Sequence, residues 1–342
     1  MAKSFTNEGY EGYEGYEGYE GYGGVFSVSG FGAYSGQNTS PLLASAILST
    51  QAELTRGITG ISHPDEAEYR LDDNHTYPRW SPDIRARLYA FSLVSDLWFD
   101  GDADTATLYS RANKPAVDGA GVLTGQYQML FKLKRPKYDY KAGTAPAGAP
   151  GGALPDELQH ILNKASLRAD RMAEILTQVA VPVSFFSALL NLQPGRHRNT
   201  LELMSVGFEY AAWAGQQFKD HFRVVRAADR SPLVQPILMT PQHGSYPAGH
   251  AIQSYLVKDL LIELTGAAAG SDMADQLEAL ADRIGDNRVI AGVHYPIDIE
   301  EGAKLGSALA KRMIGWSDPA NPAPVAANAL QWLWAGAKAE WN

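Results

Sequence analysis

The chain contains no cysteine. That excludes a disulfide framework, a zinc–thiolate centre and a thiol nucleophile, so its chemistry rests on nitrogen and oxygen donors. It has no surplus of positive charge either: the formal net charge is -9. A nucleic-acid partner needs a cationic stripe facing its phosphates, which argues against that class of ligand. A long apolar run is also missing. The longest, Val179–Leu190, is interrupted by Pro182 and Ser184 and is far short of the roughly 20 residues that cross a bilayer. Met1–Gly24 is acidic and glycine-rich, without a basic stretch leading into an apolar one, unlike a secretory signal. These absences lead to the expectation of a soluble, cytoplasmic protein with no nucleic-acid or membrane partner.

What is present begins with a repeat. Residues 8–22 are five copies of Glu-Gly-Tyr, with tyrosines at Tyr10, Tyr13, Tyr16, Tyr19 and Tyr22. A period of three with a glycine in every copy builds no continuous buried face, so residues 1–30 are expected to form a disordered tail. Residues 31–342, at 45% hydrophobic content for the whole chain, are expected to form a single helical domain with its site region at 195–315. Ser40 and Pro41 supply a cap and a first-turn proline for a helix over Thr39–Thr59. A second helix is expected over Ile84–Trp98, and Ala142–Pro155, all small residues and proline, reads as an exposed connector. Trp80, Trp98, Trp213, Trp332, Trp334 and Trp341 fall mostly in apolar stretches where burial accounts for them.

The later part is strongly periodic. A helix over Asn199–Phe222 aligns Leu201, Met204, Phe208, Ala212, Gly215 and Lys219 on one stripe, so its last inward position is a lysine. Another starts after Gly249 and is ended by Gly266. A third, Asp272–Val293, puts Leu277, Ala281, Ile284 and Arg288 on one face. A fourth starts at Pro296 and sets Asp298, Gly302, Leu305, Leu309 and Met313 at helical spacing. No convincing strand alternation appears, so the expected fold class is all-α, a bundle around a shared polar interior.

That interior is where chemistry is expected. Lys219, Arg226 and Arg288 point inward, and buried cations cost several kcal/mol unless an anion compensates them. Asp298 alone does not balance three cations, so a bound oxyanion is implied. Tyr246-Pro247-Ala248-Gly249-His250 is a turn running into a helix start, where Gly249 admits close approach and free N–H groups favour an anion. His250 stands where it can pass a proton to that anion. Arg288-Val-Ile-Ala-Gly-Val-His294-Tyr-Pro-Ile-Asp298 spaces a histidine four residues from a carboxylate, which sets the imidazole tautomer and makes the opposite nitrogen a better ligand or nucleophile. His63, His75, His160, His197 and His221 lack matched partners and are read as surface or core histidines.

These residues resemble a family: the vanadium-dependent haloperoxidases and the type-2 phosphatidic acid phosphatases, which share a three-part signature. Lys219, six residues, then Arg226 fits the first part, with Ala227 in place of a proline. Pro247, Gly249 and His250 fit the second, with Ala248 where a serine belongs. Arg288, His294 and Asp298 fit the third in full. The resemblance spans about 80 of the 342 residues, in the right order. His243, seven residues before His250, is where bromide-oxidising haloperoxidases carry a histidine, whereas Gln216 departs from the tryptophan or arginine often found near the halide.

The resemblance implies a bromoperoxidase-like enzyme with vanadate as cofactor, in a site that phosphate could also occupy. His294 would bind vanadium, with Asp298 behind it. Lys219, Arg226, Arg288 and the Gly249 N–H would neutralise the oxo groups, and His250 would be the acid–base. The co-reactants would be hydrogen peroxide, halide and a small organic acceptor, and a homo-oligomer is compatible with the family. Ala248 lacks the hydroxyl that relatives direct at an equatorial oxygen, which implies weaker anion binding. The alternatives are a phosphatase acting through a phosphohistidine at His294, and a catalytically silent oxyanion-binding protein.

Overall fold

The structure, a computed structural model, describes residues 82–111, 116–117, 123–124, 127–136, 156–180, 182–317 and 327–342. The Glu-Gly-Tyr repeat, the helix expected over Thr39–Thr59 and the connector at Ala142–Pro155 lie outside them. In chain order come α1 (Pro82–Ser95), β1 (Leu97–Gly101), β2 (Thr105–Arg111), β3 (Ala116–Val117), β4 (Leu123–Thr124) and β5 (Tyr127–Lys134). Then follow α2 (Asp156–Lys164), α3 (Arg168–Ala180), α4 (Val183–Leu190), α5 (Arg198–Phe222) and the single turn α6 (Ala227–Arg230). The chain continues through α7 (Gly249–Thr265), α8 (Asp272–Ile290), α9 (Pro296–Ser317) and α10 (Ala327–Ala339). The protein is predominantly helical, as the periodicity implies.

Four helices carry the site, and the residues at their ends account for their limits. Helix α7 stops where Gly266 takes a left-handed conformation, φ 68°, and its N–H returns to the Ile262 carbonyl. Helix α8 starts at Ser271, whose side chain accepts from Ala274 N, with Asp272 and Asp275 in the first turn. It ends at Ile290 and not at Val293, because Gly292 reverses the chain at φ 85°. A Cβ there would lie 2.8 Å from an Arg168 nitrogen and 3.2 Å from Pro236 Cα. Helix α9 begins with Pro296, whose missing N–H costs nothing at a first-turn position.

Helix α7 lies between its partners, packed most extensively on α9 and also on α8 and α5. Small residues make this closeness available. In α9, a Cβ on Gly302 would stand 2.8 Å from the Ala248 carbonyl, and one on Gly306 would meet the Ile252 carbonyl. Their spacing of four puts both on the same face, so the α9 backbone rests directly on the first turns of α7. Ile252, Leu256, Leu260, Leu305, Leu309 and Met313 fill the contact and are fully buried.

The expectation of no strands needs correction. Strands β1, β2 and β5 form an antiparallel sheet in the order β1-β2-β5, and β3 pairs with β4 in a separate ribbon. The register shifts between Leu108 and Tyr109, where a bulge breaks the two-residue alternation of β5. That irregularity hid the strand pattern. Consequently the helix expected over Ile84–Trp98 stops at Ser95, and Trp98 lies in β1 facing outward, 59% exposed. Trp213, Trp332, Trp334 and Trp341 do pack against the core.

The inner face of the sheet docks on the end of α5. Phe99 and Phe131 meet Phe218 edge-on at 5.1 and 6.4 Å, and Phe222 meets Tyr246 at 5.6 Å. His221 Nε2 bonds the Asp102 carbonyl at 2.7 Å, and Arg135 donates to the Phe222 carbonyl at 3.0 Å. Tyr246 donates to the Lys134 carbonyl. The sheet therefore braces both the helix end that bears Lys219 and the loop that leads to His250. Among the described residues no single helix is long and apolar enough to cross a membrane. The segments Glu157–Val179 and Val183–Leu190 reach that length and hydropathy only together, and they bend by 101°.

Candidate functional site

Helix α5 ends in a left-handed residue, Arg223 at φ 46°, whose N–H closes on the Lys219 carbonyl. The Lys219 side chain thereby stays on the buried stripe and is 1% exposed. Its ammonium donates to the carbonyls of Gly244 at 3.2 Å and Ser245 at 3.3 Å. Arg226 follows in extended conformation and ties three segments together. Nε donates to the His243 carbonyl at 3.1 Å, Nη1 to the Val293 carbonyl at 2.8 Å, and Nη2 lies 3.2 Å from His243 Nδ1.

The contact that defines the chemistry is between Arg226 Nη1 and His294 Nε2, at 3.2 Å. A guanidinium has only donors, so Nε2 accepts and carries no proton. The ring proton then sits on Nδ1, which faces Asp298 Oδ2 at 3.0 Å. The same Oδ2 receives the Tyr295 N–H at 3.1 Å and the Ser245 hydroxyl. Burial pushes the Asp298 carboxyl up, but the hydrogen bonds from His294, the Ser245 hydroxyl and the Tyr295 N–H together hold it below the usual carboxylate range. His294 is thus fixed in one tautomer with a lone pair at Nε2, the arrangement expected from its spacing to Asp298.

The start of α7 is joined to the same group, since Ala248 N donates to the Asp298 carbonyl at 2.9 Å. Ala248 is the N-cap residue and its methyl gives no side-chain cap. The first-turn N–H groups of Gly249 and Ala251 have no acceptor within the helix, and both residues are buried. Lys219, Arg226, His243, Ala248, His294 and Asp298 therefore form one connected set, with Gly249 beside it.

His250 and Arg288 belong to a second set, joined to each other by Gln178 of α3. Arg288 Nη2 donates to the carbonyl of Ile175 at 3.0 Å and to Gln178 Oε1 at 3.2 Å. His250 Nε2 bonds the Gln178 carbonyl at 3.2 Å, which requires a proton on Nε2 and leaves the lone pair of the neutral ring on Nδ1. The two sets meet along the backbone: Gly249 separates Ala248 from His250, and Val293 N donates to the Arg288 carbonyl at 3.2 Å.

Two participants escape the sequence reading. Ser245 lies one residue before the turn read from Tyr246 to His250, and its hydroxyl bonds Asp298. Gln178 carried one signal, a polar residue three positions after Ile175 on an inward face, both fully buried. His221 and His197 have the structural roles expected for histidines without matched partners: one anchors the sheet, the other stacks on Trp341 at 5.0 Å. A surface groove of about 760 Å³ runs over α8 and α9, lined by His160, Tyr255 and charged residues such as Lys164 and Asp286. No candidate site residue lines it, and Lys164 and Asp286 pair with each other.

Among the described residues no group of three or more His, Asp or Glu side chains converges as for a bare metal cation. The buried set of Lys219, Arg226 and Arg288, with one carboxylate already bonded to His294, has instead the composition of an anion cradle.

No family model matches the chain, and no curated protein matches its sequence. Among solved structures it is similar to the crystal structure of a transmembrane PAP2-type phosphatidylglycerolphosphate phosphatase from Bacillus subtilis. The identity is 17%, over 50% of this chain and 81% of that one, with a TM-score of 0.30.

Proposed function

We propose that the chain is an oxyanion-binding enzyme of the haloperoxidase and PAP2-phosphatase type, and that it uses vanadate and hydrogen peroxide to oxidise halide, bromide by preference, for halogenation of a small organic acceptor. The observation that carries this reading is the His294 ring, pinned at Nδ1 by Asp298 and facing the Arg226 guanidinium at Nε2. An anion seated at Nε2 would find donors already turned toward it. The buried Lys219 and Arg288, together with the first-turn N–H of Gly249, support the same guest.

Vanadate, when bound, supplies Lewis-acid activation of peroxide without changing its own oxidation state. The protein's part is positional and electrostatic. Asp298 and Ser245 keep the His294 lone pair aimed, while Lys219 and Arg226 hold negative charge. His250, held through Nε2, offers Nδ1 as the site that takes and returns a proton. His243, bonded to Arg226 Nη2, is the residue we assign to the halide side.

The test is dye bromination by full-length protein supplied with vanadate, peroxide and bromide, with phosphate-ester hydrolysis followed in parallel. Bromination should require vanadate and fall at least about 10³-fold in His294→Ala, and His243→Phe should lower turnover with bromide. Ester cleavage without bromination would replace this reading by phosphoryl transfer through His294, with phosphate in the same cradle. Vanadate binding with neither activity would leave a silent anion-binding protein.

A further inference from the structure

We propose that Gln178 is an anion-binding residue of this site, its side-chain amide supplying the hydrogen bond that Ala248 has no hydroxyl to give; the inference rests on the oxyanion reading above. Gln178 is fully buried on α3 and touches two candidate site residues at once. Its carbonyl holds His250 Nε2 at 3.2 Å, and its Oε1 holds Arg288 Nη2 at 3.2 Å.

The surrounding bonds decide which way the amide faces. Glu174 accepts from Asn287 Nδ2 at 3.1 Å, and Arg171 donates to Asn287 Oδ1 at 3.4 Å. A carboxylate only accepts and a guanidinium only donates, so the Asn287 nitrogen is identified, and it donates to Gln178 Oε1 at 2.9 Å. Arg288 requires an acceptor at the same atom. Turning the Gln178 amide over would set its NH₂ against two donors. Oε1 is therefore fixed, and Nε2 points elsewhere.

That Nε2 is buried and has no hydrogen-bond partner. Folded proteins rarely leave such a group unsatisfied, and where they do a bound species commonly completes it. An NH₂ on the same amide that holds the Arg288 guanidinium selects an acceptor, and the cationic neighbour selects an anionic one. Glu174, gripped by Arg283 at 2.7 and 2.5 Å, braces the array from the surface side. In this arrangement the donor comes from α3 and not from the start of α7.

A calorimetric double-mutant cycle tests the proposal, with orthovanadate and, separately, inorganic phosphate titrated into the full-length protein, Gln178→Leu, Ala248→Ser and the double variant. Gln178→Leu should weaken binding at least about tenfold, the loss of one hydrogen bond to a charged acceptor. Ala248→Ser should gain little alone yet recover most of the loss in the double variant, because serine then replaces the missing donor. Undiminished affinity in Gln178→Leu, or the same gain from serine in both backgrounds, overturns the proposal while leaving the oxyanion reading intact. Should Gln178→Leu unfold, Gln178→Glu keeps the acceptor for Arg288 and Asn287 while exchanging the donor for a second oxygen whose charge also opposes an anion, so its affinity should fall further still. Unchanged affinity in that variant rejects direct donation. If the unsubstituted protein binds neither anion, the oxyanion reading falls first, and this inference with it.

Discussion

Helix α5 buries two charges, one near each end, and handles them differently. Near its start Glu202 is 1% exposed and takes two bonds from Arg85 of α1, from Nε at 2.7 Å and from Nη2. The Arg85 guanidinium also lies 5.7 Å from the Trp332 ring centre. Burial pushes the Glu202 carboxyl above its ordinary range in spite of these bonds, so the two charges balance at a desolvation cost. Near the other end Lys219, equally buried, is held by two carbonyl oxygens of the Gly244–Ser245 loop. A charge facing its opposite closes on itself and serves the fold. The Lys219 ammonium is bonded to backbone carbonyls of a loop whose Ser245 hydroxyl reaches Asp298, and so lies in the same hydrogen-bonded set as His294.

The comparison sharpens first at the carboxylate that serves the site. Asp298→Asn should lower turnover by about 10³-fold, because an amide no longer selects the Nδ1–H tautomer of His294. Its pH signature has a definite sign. The Asp298 carboxyl is held below the usual range, so its stabilising contribution is present above that range and is lost as pH falls through the depressed native value. Urea midpoints measured below about pH 4 should therefore fall more steeply for the unsubstituted protein than for Asp298→Asn.

At the structural end, Glu202→Ala should cost about 3–5 kcal/mol of folding stability by leaving Arg85 buried without this carboxylate. Denaturant unfolding measures it, and anion affinity of the folded protein should hardly change. Lys219→Met reverses the pattern: anion affinity by calorimetry should drop about 10²-fold, with a smaller stability loss than for Glu202→Ala. If Lys219→Met destabilised the fold as severely and left anion binding alone, the two ends of α5 would be alike and the contrast would vanish. The smallest effect is expected at the hinge between α8 and His294. Gly292→Ala, forced to adopt φ 85° against Arg168 and Pro236, should cost about 1–2 kcal/mol in thermal unfolding.

Much of this site is legible in one dimension because its members sit at helix ends or in short turns. The stripe ending at Lys219, the spacing of His294 to Asp298 and the glycine after Ala248 all depend on local geometry, so helical periodicity anticipates the burial of Lys219 and the contact of His294 with Asp298. Strand β5 was missed because its extra residue Leu130, opposite Leu108 and Tyr109, breaks the alternation by which a strand is recognised. Ser245 and Gln178 were missed for another reason: a hydroxyl or an amide has no fixed role until its partner is in place. The partners of Gln178 lie 72 and 110 positions away, beyond any local pattern.

Composition and spacing alone determined a cysteine-free, mostly helical protein whose residues 288–298 carry an arginine, a histidine and an aspartate in register, because α-helical repeat and turn chemistry act over a few residues. Tertiary structure decided which nitrogen of His294 bears the proton, that Arg226 faces the other, and that Gln178 of α3 joins His250 to Arg288. Those outcomes depend on directional hydrogen bonds between segments far apart in the chain, and direction exists only once the helices have packed.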